Sequence, residues 1–144
     1  MLREKIIIAS DHAGFLLKKE LCAFLQKSKL SYEDLGTHDE KSCDYPDYAN
    51  LLASKMDEKS FGILICGSGI GISMAANRHK NIRCALCNEP LSAKLARLHN
   101  DANVLALGGR LIGVDLAAEI VRVFVNTEFE GGRHAQRIDK LRNC

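Results

Sequence analysis

Residues 63–77 read ILICGSGIGISMAAN, an apolar run that ends on Cys66 and opens into Gly67, Gly69 and Gly71. Glycines at such a turn let backbone N–H groups approach an anion closely at the start of a helix. A thiol in the same place is favoured as thiolate, because helix N-termini stabilise negative sulfur. That pairing suits a nucleophile, or a base that removes a proton from carbon. Packing alone is the competing explanation: a glycine turn that seats a helix on a sheet, and a cysteine filling a small gap. The dinucleotide fingerprint G-x-G-x-x-G does not fit, since Ile72 stands where the third glycine belongs, although Glu89 follows at a suitable distance. The Gly-Lys-Ser/Thr ending of a nucleotide phosphate loop is missing as well.

Two further clusters could do chemistry. In EGGRHAQR, Arg133 and Arg137 are four apart, so both guanidiniums leave one helical face just after Gly131 and Gly132. Forked hydrogen bonds from two convergent arginines grip a phosphate dianion, whereas a solvated charged tail would use the same residues for nothing. In RLHND, His99 and Asn100 end a helical stretch, where the helix dipole favours an imidazolium. A surface cap is the alternative there.

Six cysteines stand at 22, 43, 66, 84, 87 and 144. Cys84 and Cys87 fall in IRCALC, which reads as a strand, so three-residue spacing sends the thiols to opposite faces and argues against a shared metal. Cys22, Cys84 and Cys87 are expected to pack as small apolar residues. The opening MLREKIIIASDHAGF has too short an apolar stretch for a signal peptide, which predicts a cytoplasmic protein with reduced thiols.

The elements that must hold these residues alternate along the chain. Strands are expected over 5–10, 31–36, 62–67, 82–87 and 102–108. Between them come helices from Phe15 to Lys27, with Lys18 and Lys19 on the polar side, and over 44–56, with Tyr48, Leu51, Leu52 and Met56 together. Others run from Ile70 to His79, from Pro90 to His99 on a Leu91, Leu95 and Leu98 stripe, and from Ala135 to Leu141. Val114 to Val125 is apolar nearly all round, as in a helix deeply buried or covered by another subunit. Such alternation predicts a three-layer α/β/α, Rossmann-like fold on a five-stranded parallel sheet, formed as a single domain over 1–144. Ligands sit at the carboxyl ends of such strands, where Asp11, His12, Cys66, Gly67, Ser68, Gly108, Gly109 and Arg110 fall. A net charge of +2 without a Lys/Arg run, and no long apolar segment, exclude a nucleic-acid or membrane footprint.

Taken in order, SDHAGFLLK (10–18), DYPDYA (44–49), ICGSGIGISMAANR (65–78), RLHNDANVLALGGR (97–110) and FEGGRHAQR (129–137) resemble the ribose-5-phosphate isomerase B family, which also holds galactose- and allose-6-phosphate isomerases. The resemblance spans nearly the whole chain. It implies a cofactor-free, metal-independent aldose–ketose isomerase working as a homodimer or dimer of dimers, with active sites at the subunit boundary. On that reading Cys66 is the proton-abstracting base, Ser68 handles a proton on a substrate oxygen, and His99 opens the furanose ring. Asp11 and Asn100 match sugar-binding positions. His12, Arg133 and Arg137 match phosphate-side ones, and Arg110 joins them. The backbone of Gly67, Gly69, Ile70 and Gly71 matches the anion-stabilising loop. The implied substrate pair is D-ribose 5-phosphate and D-ribulose 5-phosphate. A six-carbon sugar phosphate is the alternative substrate, and a non-catalytic nucleotide- or sugar-phosphate-binding module the alternative class.

Overall fold

The computed structural model describes residues 1–144. Five parallel strands, β1 (Lys5–Ser10), β2 (Tyr32–Asp34), β3 (Ser60–Cys66), β4 (Cys84–Leu86) and β5 (Val104–Gly108), form one sheet in the order β2-β1-β3-β5-β4. Six α-helices follow or separate them: α1 (Phe15–Lys27), α2 (Tyr45–Lys55), α3 (Ile70–Ala76), α4 (Pro90–Asn100), α5 (Val114–Asn126) and α6 (Arg133–Leu141). This is the expected three-layer α/β/α arrangement. The strand order matches burial: β3 and β5 are buried at every residue and lie inside the sheet, while β4 is half-buried throughout and closes the edge.

The alternation of the strands sorts the core into two layers. Ile6, Ile8, Ile63 and Ile65 face α1, α4 and α5, whereas Ile7, Ala9, Leu64 and Cys66 face α2 and α3. Cys87 joins the first layer and Cys84 lies against the second, so the two thiols do point apart as their spacing requires.

Several expected faces are corrected. Lys18 is not on a polar face: it is 1% exposed and its Nζ donates to both oxygens of Asp34 on β2, at 2.8 and 2.7 Å. A buried ammonium is tolerated because this carboxylate neutralises it and the Phe15 ring lies 5.5 Å away. On α4 the buried residues are Ala93, Ala96 and Arg97, while Leu91 (61%) and Leu95 are exposed and Leu98 is half-buried. Small alanines let the helix lie close to the sheet, which turns the longer side chains away. Leu51 likewise faces out of α2, and α5 buries one stripe (Ala117, Ile120, Val121, Phe124 and Val125) while Val114 and Leu116 stay exposed. The helix expected to reach His79 ends at Ala76, because the Asn77 amide turns aside to pair with both the N–H and the carbonyl of Cys84. Strands β2 and β4 are shorter than their expected ranges at both ends, and α6 starts two residues early, at Arg133.

Tight backbone crossings hold the strand ends together. A Cβ on Gly14 would lie 2.5 Å from the Ile65 carbonyl oxygen and 2.7 Å from its carbon, both backbone atoms that cannot step aside. Gly14→Ala is therefore expected to destabilise the fold by about 1–3 kcal/mol. Urea denaturation checks this, and an unchanged midpoint would contradict it.

Candidate active site

The carboxyl ends of β1, β3 and β5 meet in one crevice. Backbone hydrogen bonds lace them: Asp11 N–H to the Ile65 carbonyl (3.1 Å), Gly109 N–H to that of Cys66 (2.8 Å), and Arg110 N–H to that of Gly67 (3.0 Å). Cys66 is 5% exposed at the last position of β3. The chain then turns through Gly69, whose φ of 79° is left-handed, and the Gly69 N–H donates to Cys66 Sγ at 3.1 Å. This reassigns Gly69, whose expected donor role toward a bound anion is taken by the sulfur of its own chain. Ser68 Oγ accepts the Ile70 N–H at 3.2 Å, leaving the hydroxyl proton free to donate elsewhere.

Asp11 spends one carboxylate oxygen on the Gly14 N–H (3.0 Å), capping a short 3-10 turn over His12–Gly14. His12 Nδ1 accepts the Cys43 N–H at 3.2 Å, which leaves Nε2 as the protonated nitrogen and a donor. The Arg110 guanidinium lies over Gly67, 3.5 Å from where a Cβ would be. Tyr45 was missed in the sequence. Its ring closes over Gly71, where an added Cβ would come within 2.7 Å of it. The one signal was its place in DYPDYA, a motif with no other task.

His99, Asn100, Arg133 and Arg137 are not in this crevice. Helix α4 starts beyond the carboxyl end of β4 and runs back, so its last residues reach the amino-terminal edge of the sheet. Arg83, just before β4, donates from Nε to the carbonyls of Asn100 (3.2 Å) and Asp101 (3.0 Å) there. The 11 residues of α4 and the 5 of β5 both place the two groups roughly 15 Å apart. At this second edge the His99 ring stacks on that of His134, with centroids 4.5 Å apart and planes 16° from parallel. Exposed Arg133 and Arg137 project from the same helix, α6, as His134. His134 was also missed, since a histidine between two arginines carries no spacing signal of its own.

His99, Glu130 and His134 bring one ligand atom each within 4.8 Å of the others. Near-parallel rings send their lone pairs along parallel lines rather than to one point, so the cluster is built for stacking more than for coordination. Cys22, Cys84 and Cys87 pack against the two core layers. Burial pushes the Cys22 thiol up to about 11, with Asp34 beside it adding to the effect, and Cys87 up to about 12. Burial drives Cys84 in the same direction.

Strand order and layering define a Rossmann-like α/β domain with polar residues at the carboxyl ends of its strands. The sequence profile of the family described as Ribose/Galactose Isomerase matches residues 6–141. Ribose-5-phosphate isomerase B of Escherichia coli is 46% identical over 140 residues, covering 96% of this chain and 94% of its own. A crystal structure of the Thermotoga maritima ribose 5-phosphate isomerase superposes with a TM-score of 0.95 at 51% identity, over 97% of this chain and 98% of that one. The Mycoplasma genitalium ribose-5-phosphate isomerase B, solved with bound ribulose-5-phosphate, gives 0.92 at 43% identity, over 96% and 94%. The chain belongs to the ribose/galactose isomerase family, and it is an isomerase. No helix is long and apolar enough to cross a membrane.

A thiol raised to about 11 is only about 0.1% ionised at pH 8. A short iodoacetamide pulse at that pH is expected to label exposed Cys144 and spare Cys22, Cys84 and Cys87 until the chain is unfolded. Peptide mass spectrometry reads the outcome, and labelling of those three at the rate of Cys144 would contradict the assignment.

Proposed function

We propose that residues 1–144 act as one isomerase domain that interconverts D-ribose 5-phosphate and D-ribulose 5-phosphate through an enediolate. The observation that carries this reading is the buried Cys66 sulfur, held by the Gly69 N–H beside a free Ser68 hydroxyl. Moving a carbonyl between C1 and C2 requires a base that removes a weakly acidic C–H proton and returns it one carbon away. Cys66 thiolate takes the C2 proton of the open-chain aldose and returns it to C1. Ser68 passes the O2 proton to O1, and the carbonyl is left on C2. The negative oxygens of the enediolate are met by the amides of the Gly67–Gly71 loop that remain free at the start of α3.

Ring opening precedes this step. The C1–O4 bond breaks as C1=O1 forms, the O1 proton leaves to solvent, and His99 supplies a proton to O4. Asp11 and Asn100 bind sugar hydroxyls. His12, Arg110, Arg133 and Arg137 hold the phosphate, which orients the far end of the substrate without taking part in proton transfer. Every proton in the scheme is carried by a side chain or by water, so no cofactor or metal is assigned.

His99, Asn100, Arg133 and Arg137 lie at the opposite edge from Cys66, so one chain cannot assemble this site. We assign the chain to a homodimer, the unit from which a dimer of dimers would be built, in which each Cys66 crevice receives the α4 end and α6 of its partner. Exposed apolar side chains on the two helices bracketing the β4 edge support a second copy as the cover. These are Ile70 (47%) and Met74 (66%) on α3, with Leu91 (61%) and Leu95 (38%) on α4.

Cys66→Ala is expected to fold normally and to lose about 10²–10⁴ in kcat, the usual worth of a positioned base. In heavy water the wild-type protein is expected to wash deuterium into C1 of D-ribulose 5-phosphate. Full activity in Cys66→Ala would sink the base assignment, and turnover without any label uptake would favour a hydride shift.

A further inference from the structure

His99 is a mobile choice for a proton carrier. Its side chain is 41% exposed and stands at a helix end, where an unsupported imidazole would sample several rotamers. Two neighbours limit it. On one face the His134 ring lies nearly parallel at 4.5 Å, itself only 8% exposed and so fixed in place. At its edge, His99 Nε2 lies 3.8 Å from Glu130 Oε2. The backbone at both neighbours is tied down. The Glu130 N–H donates to the Leu98 carbonyl on α4 at 3.0 Å, and the His134 N–H donates to the Gly131 carbonyl at 3.2 Å.

We propose that His134 and Glu130 are positioning residues for His99, the buried ring setting the plane of the imidazole and the carboxylate holding its Nε2 edge. This rests on the isomerase reading given above, in which His99 protonates O4. His134 is suited to be a wall rather than a second proton carrier. Its Nε2 is buried with no hydrogen-bond partner in the chain. Desolvation first, then the neighbouring His99, with Arg133 and Arg137 adding, hold its pKa below the ordinary histidine value against the opposing pull of Glu130. A neutral ring can stack on His99 whether or not His99 is charged, without like-charge repulsion.

The chemistry supplies a readout that loss of structure would not mimic. D-ribulose 5-phosphate is acyclic, because O5, the hydroxyl that could close a five-membered ring on C2, carries the phosphate. Deuterium wash-in at C1 of the ketose therefore needs Cys66 and no ring step, while conversion of D-ribose 5-phosphate needs both. His134→Ala is expected to lower kcat on D-ribose 5-phosphate about ten- to hundredfold, with KM little changed, and to leave ketose wash-in within about twofold. His134→Phe, which restores a flat ring, is expected to recover most of that loss. Glu130→Gln, at an exposed position, is expected to slow conversion and spare wash-in in the same way, and it carries the kinetic test if His134→Ala does not fold. Side-chain NMR reads the contact without any turnover: His99 ring protons should move downfield when the stacked ring is removed. Unmoved His99 resonances, conversion within twofold of wild type, equal losses of conversion and wash-in, or no recovery in His134→Phe would each overturn the proposal. A wild-type protein that converts no D-ribose 5-phosphate would instead overturn the isomerase reading, and the NMR shift would still judge the contact.

Discussion

A parallel sheet has a direction, and that direction divides the chemistry of this chain. Every strand delivers its carboxyl end to one edge, and every helix that follows carries the chain back to the other. Residues at strand ends, Cys66 and Asp11 among them, therefore gather on one edge. Residues at the end of α4, His99 and Asn100, must gather on the opposite one. No side-chain rotation closes a gap of roughly 15 Å. On the proposed reading that constraint makes the functional unit two copies, each crevice pairing the proposed base of one chain with the proposed phosphate grip of the other.

Within the Cys66 edge the geometry is held by backbone rather than by long side chains. The loops after β1 and β5 share hydrogen bonds with the end of β3, and Gly14 lets the β1 loop sit against Ile65 with no room for a Cβ. The thiol thus faces an amide held in a tight turn, which suits the proposed role of a base serving two adjacent carbons. Asp34 extends the same support outward. It neutralises buried Lys18 on α1 and accepts the Gly36 N–H at 2.9 Å, steadying the loop whose Gly36 carbonyl pairs with Ser10 beside Asp11. The second edge is held differently. Buried Arg97 bonds Asp101, the Ala102 carbonyl and the Thr127 carbonyl, so the end of α4 and the segment leading to Arg133 keep one register.

Much of this is legible in the order of residue types. Ile6 to Ile8, the apolar run into Cys66 and the glycines after it are short-range patterns, and a parallel sheet with a strand-end crevice follows from them. What stayed hidden depends on neighbours distant in sequence. Lys18 reads as a surface lysine until Asp34 is known to face it. The leucines of α4 read as a core stripe, because periodicity reports that a helix has an apolar face without saying what covers it. Alanines face the sheet instead, and Leu91 and Leu95 remain exposed. Tyr45 and His134 were hidden for a further reason: each matters by its contact with a group distant in sequence, Gly71 and His99 respectively, a relation with no fixed spacing.

The division of the site between two copies is tested most directly by mixing two defective chains. Cys66→Ala lacks the proposed base, and Arg133→Ala/Arg137→Ala lacks the proposed phosphate grip. Unfolding both together and refolding the equal mixture should make about half of the dimers hybrid, each with one site of two intact. Isomerisation at substrate well below KM should then return to about a quarter of the wild-type rate, well above the sum of the separate variants. A mixture no more active than that sum would mean that each chain builds its site alone, contrary to the placement of His99, Arg133 and Arg137.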